Sequence, residues 1–582
     1  MAYVLPTSLN PAVNVAGPRS QPRARVSAVF AGLLFAALLL PAGCGTDTPT
    51  GVGGGDAGLD GATGDAGNGA STTPTFHRDI APIVFAKCAS CHLDGAIGPF
   101  DITKPAVAKA MAPAIAASVA SGRMPPWGAQ DTAECTPPKP WQNDARLTQA
   151  EKDSIAAWAK AGAPLGDAAD SAQLTVAKPV ALSRIDRTLV SDKGFVAEGT
   201  KDQFVCFPFD PKITTDSWIQ GVNFIAGNPL VAHHALLFLD PTGAAAKAAG
   251  TKGWYDGFGS CNVNGGLVAA WAPGAVPVEM PAGAGIPIKK GERLVMQMHY
   301  HPIGAAAAVD KTKVQLKITS ETPKYEVQAA LIGNARKASQ GLEPGEADDG
   351  KVEFRIPAGA ASHAESISWT MPLSLAQAGI SHIRVMGIAS HMHYLGVDMR
   401  IWVERRTSSA APALCSAGDK GTLEPCVTTN CAGAAGDALT NCAIANCTKQ
   451  LQSIAPGCVG CLTEVLKTGK ADLWAPCLAA GTLPPGPAGS DKDMCLLHTP
   501  AYDFAWQRFY TYQAPIEALP ALRPGDTLKM RCVYNNSTSN PVLVKALSDQ
   551  GLKAPVDVGI GDTTLDEMCL TGLYLLRDVS KK

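Results

Sequence analysis

Six of the eleven histidines in this sequence fall in three tight sets: His233-His234, His299-Tyr300-His301 and His391-Met392-His393. Each set sits in a short apolar run of β character: VAHHALLFL, LVMQMHYH and IASHMHYLG. Side chains alternate along a strand, so His391 and His393 face the same way and can chelate one ion. Met392 then faces the core. His233 and His234 can serve one ion only at a strand end or a bulge. Imidazoles with no cysteine beside them suit copper or zinc, and a soft thioether tips the choice toward copper. Met568, in the run TTLDEMC, is the candidate thioether, although most of the 13 methionines must be packing residues.

A second chemistry is written in Cys88-Ala89-Ser90-Cys91-His92. Two thiols at this spacing can form thioethers to the vinyl groups of a haem, and the adjacent His92 then becomes an axial iron ligand. The alternatives are a redox C-x-x-C pair or a chance disulfide. For the sixth ligand, Met124 in the proline-stiffened loop GRMPPW is favoured over Met111, in an alanine-rich helical stretch, and over His77. The flanks read as helices. Phe76 to Phe85 leads into the motif with helical spacing, and Thr148 with Glu151 forms a capping box. Ile155, Trp158 and Ala159 make one apolar face, and Gly162 closes that helix. Residues 76–166 therefore predict a small all-α domain, and the pattern resembles cytochrome c domains fused to other redox modules.

The ends and the composition bear on address. Arg19, Arg23 and Arg25 precede the apolar run from Val26 to Leu40, which has the size of a signal-peptide core. Pro41-Ala42-Gly43-Cys44 then resembles a lipobox ending in an acylated Cys44, with Leu40 one place early. Ordinary cleavage near Ala42 is the alternative. Residues 1–44 are thus expected to be a lipoprotein-type signal peptide. Residues 45–75, rich in Gly, Asp and Thr, are expected to be a flexible tether. The sequence has 17 cysteines. Without Cys44 and the haem pair an even number remains, enough for as many as seven disulfides in an oxidising compartment. The expected location is periplasmic or on the cell surface, with a lipid as the sole membrane attachment. A net charge of −2 gives no reason to expect nucleic acid as a partner. The 58 glycines and 44 prolines suit turn-rich β domains.

Beyond residue 200 the sequence resembles the copper type II, ascorbate-dependent monooxygenases, which include peptidylglycine α-hydroxylating and dopamine β-hydroxylating enzymes. The matching runs occur in order. They are HHALLF from His233, AWAPGA from Ala270, PAGAG from Pro281, MQMHY from Met296 and HMHYLG from His391. Gly525-Asp526 to RCVY at Arg531 and DEMC from Asp566 complete the series. The resemblance implies two consecutive all-β, jelly-roll-like sandwiches, at 196–335 and 336–582, each with one copper. They would follow the cytochrome c domain at 76–166 and a linker at 167–195. It places an electron-donating copper on His233, His234 and His299, and an oxygen-binding copper on His391, His393 and Met568. His301 shares a strand face with His299, but the Q-x-H-Y pattern selects His299. Disulfides Cys206–Cys261 and Cys532–Cys569 are implied in the same way. Two departures matter. Ala389 stands where the peptide-processing members carry a carboxylate-gripping arginine, and Leu570 and Gly572 stand where they carry Asn and Tyr. Peptidylglycine is therefore not the expected substrate. Residues 407–497 hold nine cysteines and read as a disulfide-stapled insertion in the second sandwich, with a zinc site as the alternative. Nine is odd, which leaves Cys135 as a partner for one of them.

The expectation is a copper-dependent monooxygenase that uses O₂ to hydroxylate a C–H bond of an unidentified small organic substrate. It would hold two copper ions and one covalent haem c, the haem being fed by an external electron donor and relaying electrons inward. The alternative is a non-catalytic copper and haem electron carrier, or a copper-binding lipoprotein. The short link at 167–195 predicts that the cytochrome region stays beside the first sandwich.

Overall fold

The computed structural model describes residues 73–94, 98–176, 180–199, 201–302, 309–467, 472–487, 491–561, 563 and 565–580. The expected signal segment with Cys44, and all but the end of the 45–75 tether, lie outside the described residues. Among the described residues no helix is long and apolar enough to cross a membrane.

From Phe76 the chain is helical, with a π-turn Phe76–Ile80 and helices Ala81–Lys87, Pro105–Ala120 and Gln149–Lys160. Thr148 caps the last helix reciprocally. Its hydroxyl accepts the Glu151 N–H, and the Glu151 carboxylate accepts the Thr148 N–H. Ile155 and Trp158 pack with Phe76, Ile80 and Val84 in a core of their own.

The remainder is mostly sheet. Strands that alternate buried and part-exposed residues, such as Lys313–Thr319 and His363–Thr370, cover a core on one face. Arg293–Tyr300 is buried on both faces at the centre of a five-stranded sheet, between Gln203–Phe209 and Ala232–Asp240. A four-stranded sheet of His363–Thr370, Thr527–Tyr534, Gly396–Glu404 and Met494–Thr499 serves the C-terminal half. A ten-stranded sheet runs through both halves. Its joint is Tyr325–Gly333, which pairs along its whole length with Leu570–Asp578 and meets Ala284–Ile288 only at Tyr325 and Glu326. The boundary expected at 335 thus falls behind a strand that bonds mainly to the C-terminal half, and both halves share one hydrophobic core. The expected linker 167–195 carries a 3₁₀ turn, Ala168–Ser171, and an edge strand, Arg187–Val190.

The Cys-rich insertion lies between Gly396–Glu404 and Met494–Thr499, which pair directly with each other. It is helical, a feature its Ala, Gly and Thr composition did not announce. Disulfides Cys415–Cys458, Cys426–Cys447, Cys431–Cys442 and Cys461–Cys477 hold it around Leu423, Ile454 and Val465. Cys458 and Cys461 are both in disulfides, so they offer no thiolate pair to zinc.

The helical region docks on the C-terminal half. Cys135 is bonded to Cys495, and Trp141 stacks on Tyr512 at 4.6 Å. The backbone N–H groups of Gln130 and Gln142 donate to His498 O and Thr511 O at 2.9 and 2.8 Å. Seven disulfides occur among the described residues, consistent with an exported protein.

Candidate functional site

Adjacent histidines point apart on a regular strand, and a local slip resolves this for His233 and His234. The register between Ala232–Asp240 and Arg293–Tyr300 shifts between Ala232 and His234, so His233 is the extra residue of a bulge. His234 lies directly across from His299. The Nδ1 atoms of His233 and His234 are 3.1 Å apart, and those of His234 and His299 are 3.2 Å apart. The three residues can offer one ligand atom each within 4.8 Å of one another. Burial, and then the neighbouring His299, pushes His233 down to about 3, and burial takes His234 well below its ordinary value. Both imidazoles are therefore neutral at physiological pH, the form that binds a metal. Behind the set, Asp202 Oδ1 lies 3.5 Å from His299 Nε2 and accepts from His301 Nδ1 at 2.6 Å. His301 is thus held by Asp202, outside the converging three. Phe204 stacks on His299 at 4.3 Å.

The second set forms where the strand Ile383–His391 ends. His391 and His393 have ring centroids 5.4 Å apart, and Met392 between them is fully buried on the other side. His391 Nδ1 donates to Gln507 Oε1 at 2.5 Å, and His393 Nδ1 donates to the Asp566 carbonyl at 2.9 Å. Each bond fixes a tautomer whose Nε2 is the unprotonated, acceptor nitrogen. Burial, then His393, pushes His391 down to about 3. Met568 is buried, and its neighbour Cys569 is bonded to Cys532. Cys206 and Cys261 form the corresponding bond in the N-terminal half. Glu567 ties the second set together. Its carboxylate accepts the N–H groups of His393 and Leu395, each at 2.7 Å, and of Met568 at 3.2 Å. Burial raises its pKa to about 8 against the pull of those three donors.

Both sets open onto one cavity of about 390 Å³, lined by His234 and His299 on one side and His391, His393 and Met568 on the other. Phe504 stands between them, 4.7 Å from the His233 ring and 6.1 Å from the His393 ring. The remaining wall is largely apolar, including Leu236, Trp271, Leu331 and Phe509. Ala389, Leu570 and Gly572, the positions of the two departures noted above, all line it. A Cβ at Gly572 would run into the Phe509 ring, so the aromatic side chain fills that position.

A separate cavity of about 270 Å³ lies in the helical region, lined by Cys88, Cys91, His92 and Met124. Cys88 and Cys91 are the free cysteines among the described residues, and His92 Nδ1 is buried without a partner. Met111 does not line this cavity, and His77 is bonded through Nδ1 to Ser171 at 2.6 Å. Two unoxidised thiols, an imidazole and a thioether on one apolar cavity fit a covalent haem. Trp506, from the C-terminal half, also lines it.

Asp202, Phe504, Gln507 and Glu567 did not emerge from the sequence. Glu567 sits inside the DEMC run and Asp202 two residues from Phe204, but nothing in their spacing shows which backbone or ring they reach.

No protein-family profile matches this sequence. Over 125 residues it is 30% identical to peptidyl-glycine alpha-amidating monooxygenase B of Xenopus laevis, an alignment covering 21% of this chain and 14% of that protein. The chain thus spans a small part of that relative, and the similarity shows a distant relationship to a monooxygenase. Among solved structures, a recombinant peptide:N-glycanase F is similar with a TM-score of 0.22 and 9% identity, covering 68% of this chain and 96% of that one. A peptide-N(4)-(N-acetyl-β-D-glucosaminyl) asparagine amidase gives 0.18 and 10%, covering 64% and 99%. At these TM-scores neither structure bears on the fold or the chemistry.

Proposed function

We propose that this protein is a copper-dependent monooxygenase that hydroxylates a C–H bond of a small, uncharged, largely apolar molecule. The observation that carries the reading is the convergence of two histidine sets, from different halves of the chain, on one cavity. His233, His234 and His299 would hold one ion, and His391, His393 and Met568 the other. Neutral imidazoles and a thioether suit copper in both its oxidation states. When bound, copper supplies one-electron redox chemistry and a site for O₂. The protein's own part is positioning. Gln507 and Asp566 aim the His391 and His393 rings, and Glu567 fixes the backbone between them and Met568. The largely apolar wall excludes water, and Arg508, the one Arg or Lys on it among the described residues, turns its guanidinium to the Pro126 and Gly274 carbonyls. Overall the reaction would take R–H, O₂, two electrons and two protons to R–OH and water. The electrons would come from a covalent haem on Cys88, Cys91 and His92, with Met124 as the sixth ligand and an external donor behind it. Cys44 would anchor the exported chain by a lipid.

The test is O₂ uptake by the reduced, metal-loaded protein across small aromatic, amine and amide compounds. The expected result is substrate-dependent uptake with one hydroxyl formed per O₂ consumed. A protein loaded with both metals and haem that consumes no O₂ with any of them is an electron carrier instead.

A further inference from the structure

One short segment reaches every candidate cofactor position in this molecule. It begins at Asp503, whose side chain caps the 3₁₀ turn Phe504–Trp506 by accepting the Ala505 N–H. Phe504 stacks on His233 with an interplanar angle of 24°. Trp506 lines the cavity of Cys88, Cys91, His92 and Met124, the other residues of that lining all lying between Ile80 and Trp158. Gln507 holds His391 through Nδ1 and turns its amide back to the Phe504 carbonyl at 3.0 Å. Arg508 then fastens the segment to both sides. Its guanidinium lies 4.6 Å from the Trp127 ring and donates, at 3.4 Å each, to Pro126 O and Gly274 O. Pro126 belongs to the Met124 loop, and Gly274 to the N-terminal half.

We infer that Phe504 and Trp506 are the electron-transfer contact between the helical cavity and the His233/His234/His299 set. The inference rests on the copper and haem reading above and adds the route. Electron tunnelling falls off steeply with the gap between donor and acceptor, and bridging aromatic rings shorten that gap. An indole at the edge of one cavity and a ring stacked on a ligand of the other set, two residues apart on a capped turn, supply such a bridge. The Cys135–Cys495 bond and the Arg508 contacts keep the geometry fixed, so the transfer does not wait on a tethered domain finding its partner. The step is balanced: one electron leaves ferrous haem, which becomes ferric, and one cupric ion becomes cuprous. No bond breaks and no proton has to move. A structural role for Trp506, closing the haem edge to water, would affect the haem spectrum and potential but not the route.

The experiment uses the full, haem-bearing chain loaded with Cu(II), without O₂ or substrate. The haem is reduced by a light pulse, its reoxidation is followed in the visible bands, and loss of the Cu(II) paramagnetic signal is counted against it. Trp506→Leu and Phe504→Leu are expected to slow reoxidation severalfold or more, and Trp506→Phe less, with the haem potential and copper spectrum unchanged. Trp254→Leu, in an aromatic contact with Phe195 away from both cavities, should leave the rate as it is. If Trp506→Leu fails to take up haem, Phe504→Leu carries the test, because Phe504 does not line the haem cavity. Rates equal to wild type in both leucine variants overturn the contact while leaving the relay standing. A wild-type protein that holds both cofactors and shows no reoxidation overturns the relay itself.

Discussion

Glu567→Ala isolates the clamp that holds the second histidine set. The carboxylate accepts three backbone amides, from His393, Leu395 and Met568. A buried amide left without an acceptor costs about 1–3 kcal/mol, so even the low end for all three loosens this corner by about 3 kcal/mol. Local opening of that size speeds hydrogen exchange at the three amides by about 150-fold. Exchange in His363–Thr370, on another sheet, should not change. Glu567→Gln removes one acceptor oxygen and keeps the other. A Gln carbonyl in place of Oε2 keeps the His393 and Met568 bonds and loses only the Leu395 bond, costing about 1–3 kcal/mol. The expected order of exchange is therefore Ala, then Gln, then wild type. Copper at the His391/His393/Met568 set should weaken in that order while the first set keeps its ion. Mass-spectrometric exchange on peptides covering 391–396 and 566–569 reads this directly. Unchanged exchange in Glu567→Ala, or equal acceleration across the sheets, would refute the clamp.

Met568→Ile should keep the fold and the first metal set but lose Cu(I) affinity at the second, read by a competitive cuprous chelator; full retention removes Met568 from the ligand set. Metal-free protein should lose stability as the pH falls below neutral. His233 and His391 are pushed down to about 3 when folded, against about 6.5 unfolded, so between those values only the unfolded chain takes up the protons. The loss is about 1.4 kcal/mol per pH unit for each such histidine. His391→Gln should therefore show a shallower fall in urea midpoint than wild type, and identical slopes contradict the assignment. Cys135→Ser with Cys495→Ser should cost about 2–4 kcal/mol and open 128–142 to proteolysis without altering the Cys461–Cys477 region. Equal resistance in both forms would show that the docking does not depend on this bond.

The histidine sets and the C-x-x-C-H motif were legible because their chemistry is local: residue type and spacing alone limit what they can do. The capping box at Thr148 was legible for the same reason, since both partners lie within one turn. The shared sheet was not, because Tyr325–Gly333 has the same alternating apolar character whichever half its hydrogen bonds go to. Glu567, Asp202 and Gln507 were hidden for a related reason. A carboxylate or amide in a sequence reveals nothing of the backbone or ring it will meet about a hundred residues away or more. The helices of 417–478 were missed because their apolar stripe is thin and their core is built largely of disulfides.

Two separate metal sets facing one cavity should bind two ions independently, and anaerobic copper titration tests that most directly. Copper bound per chain should be counted in wild type, His299→Ala and His391→Ala, with spectra of each. Two ions in wild type and one in each variant, lost from different spectroscopic environments, is the predicted result. A single ion in wild type, a stoichiometric preference for zinc, or both ions retained in either variant would contradict it.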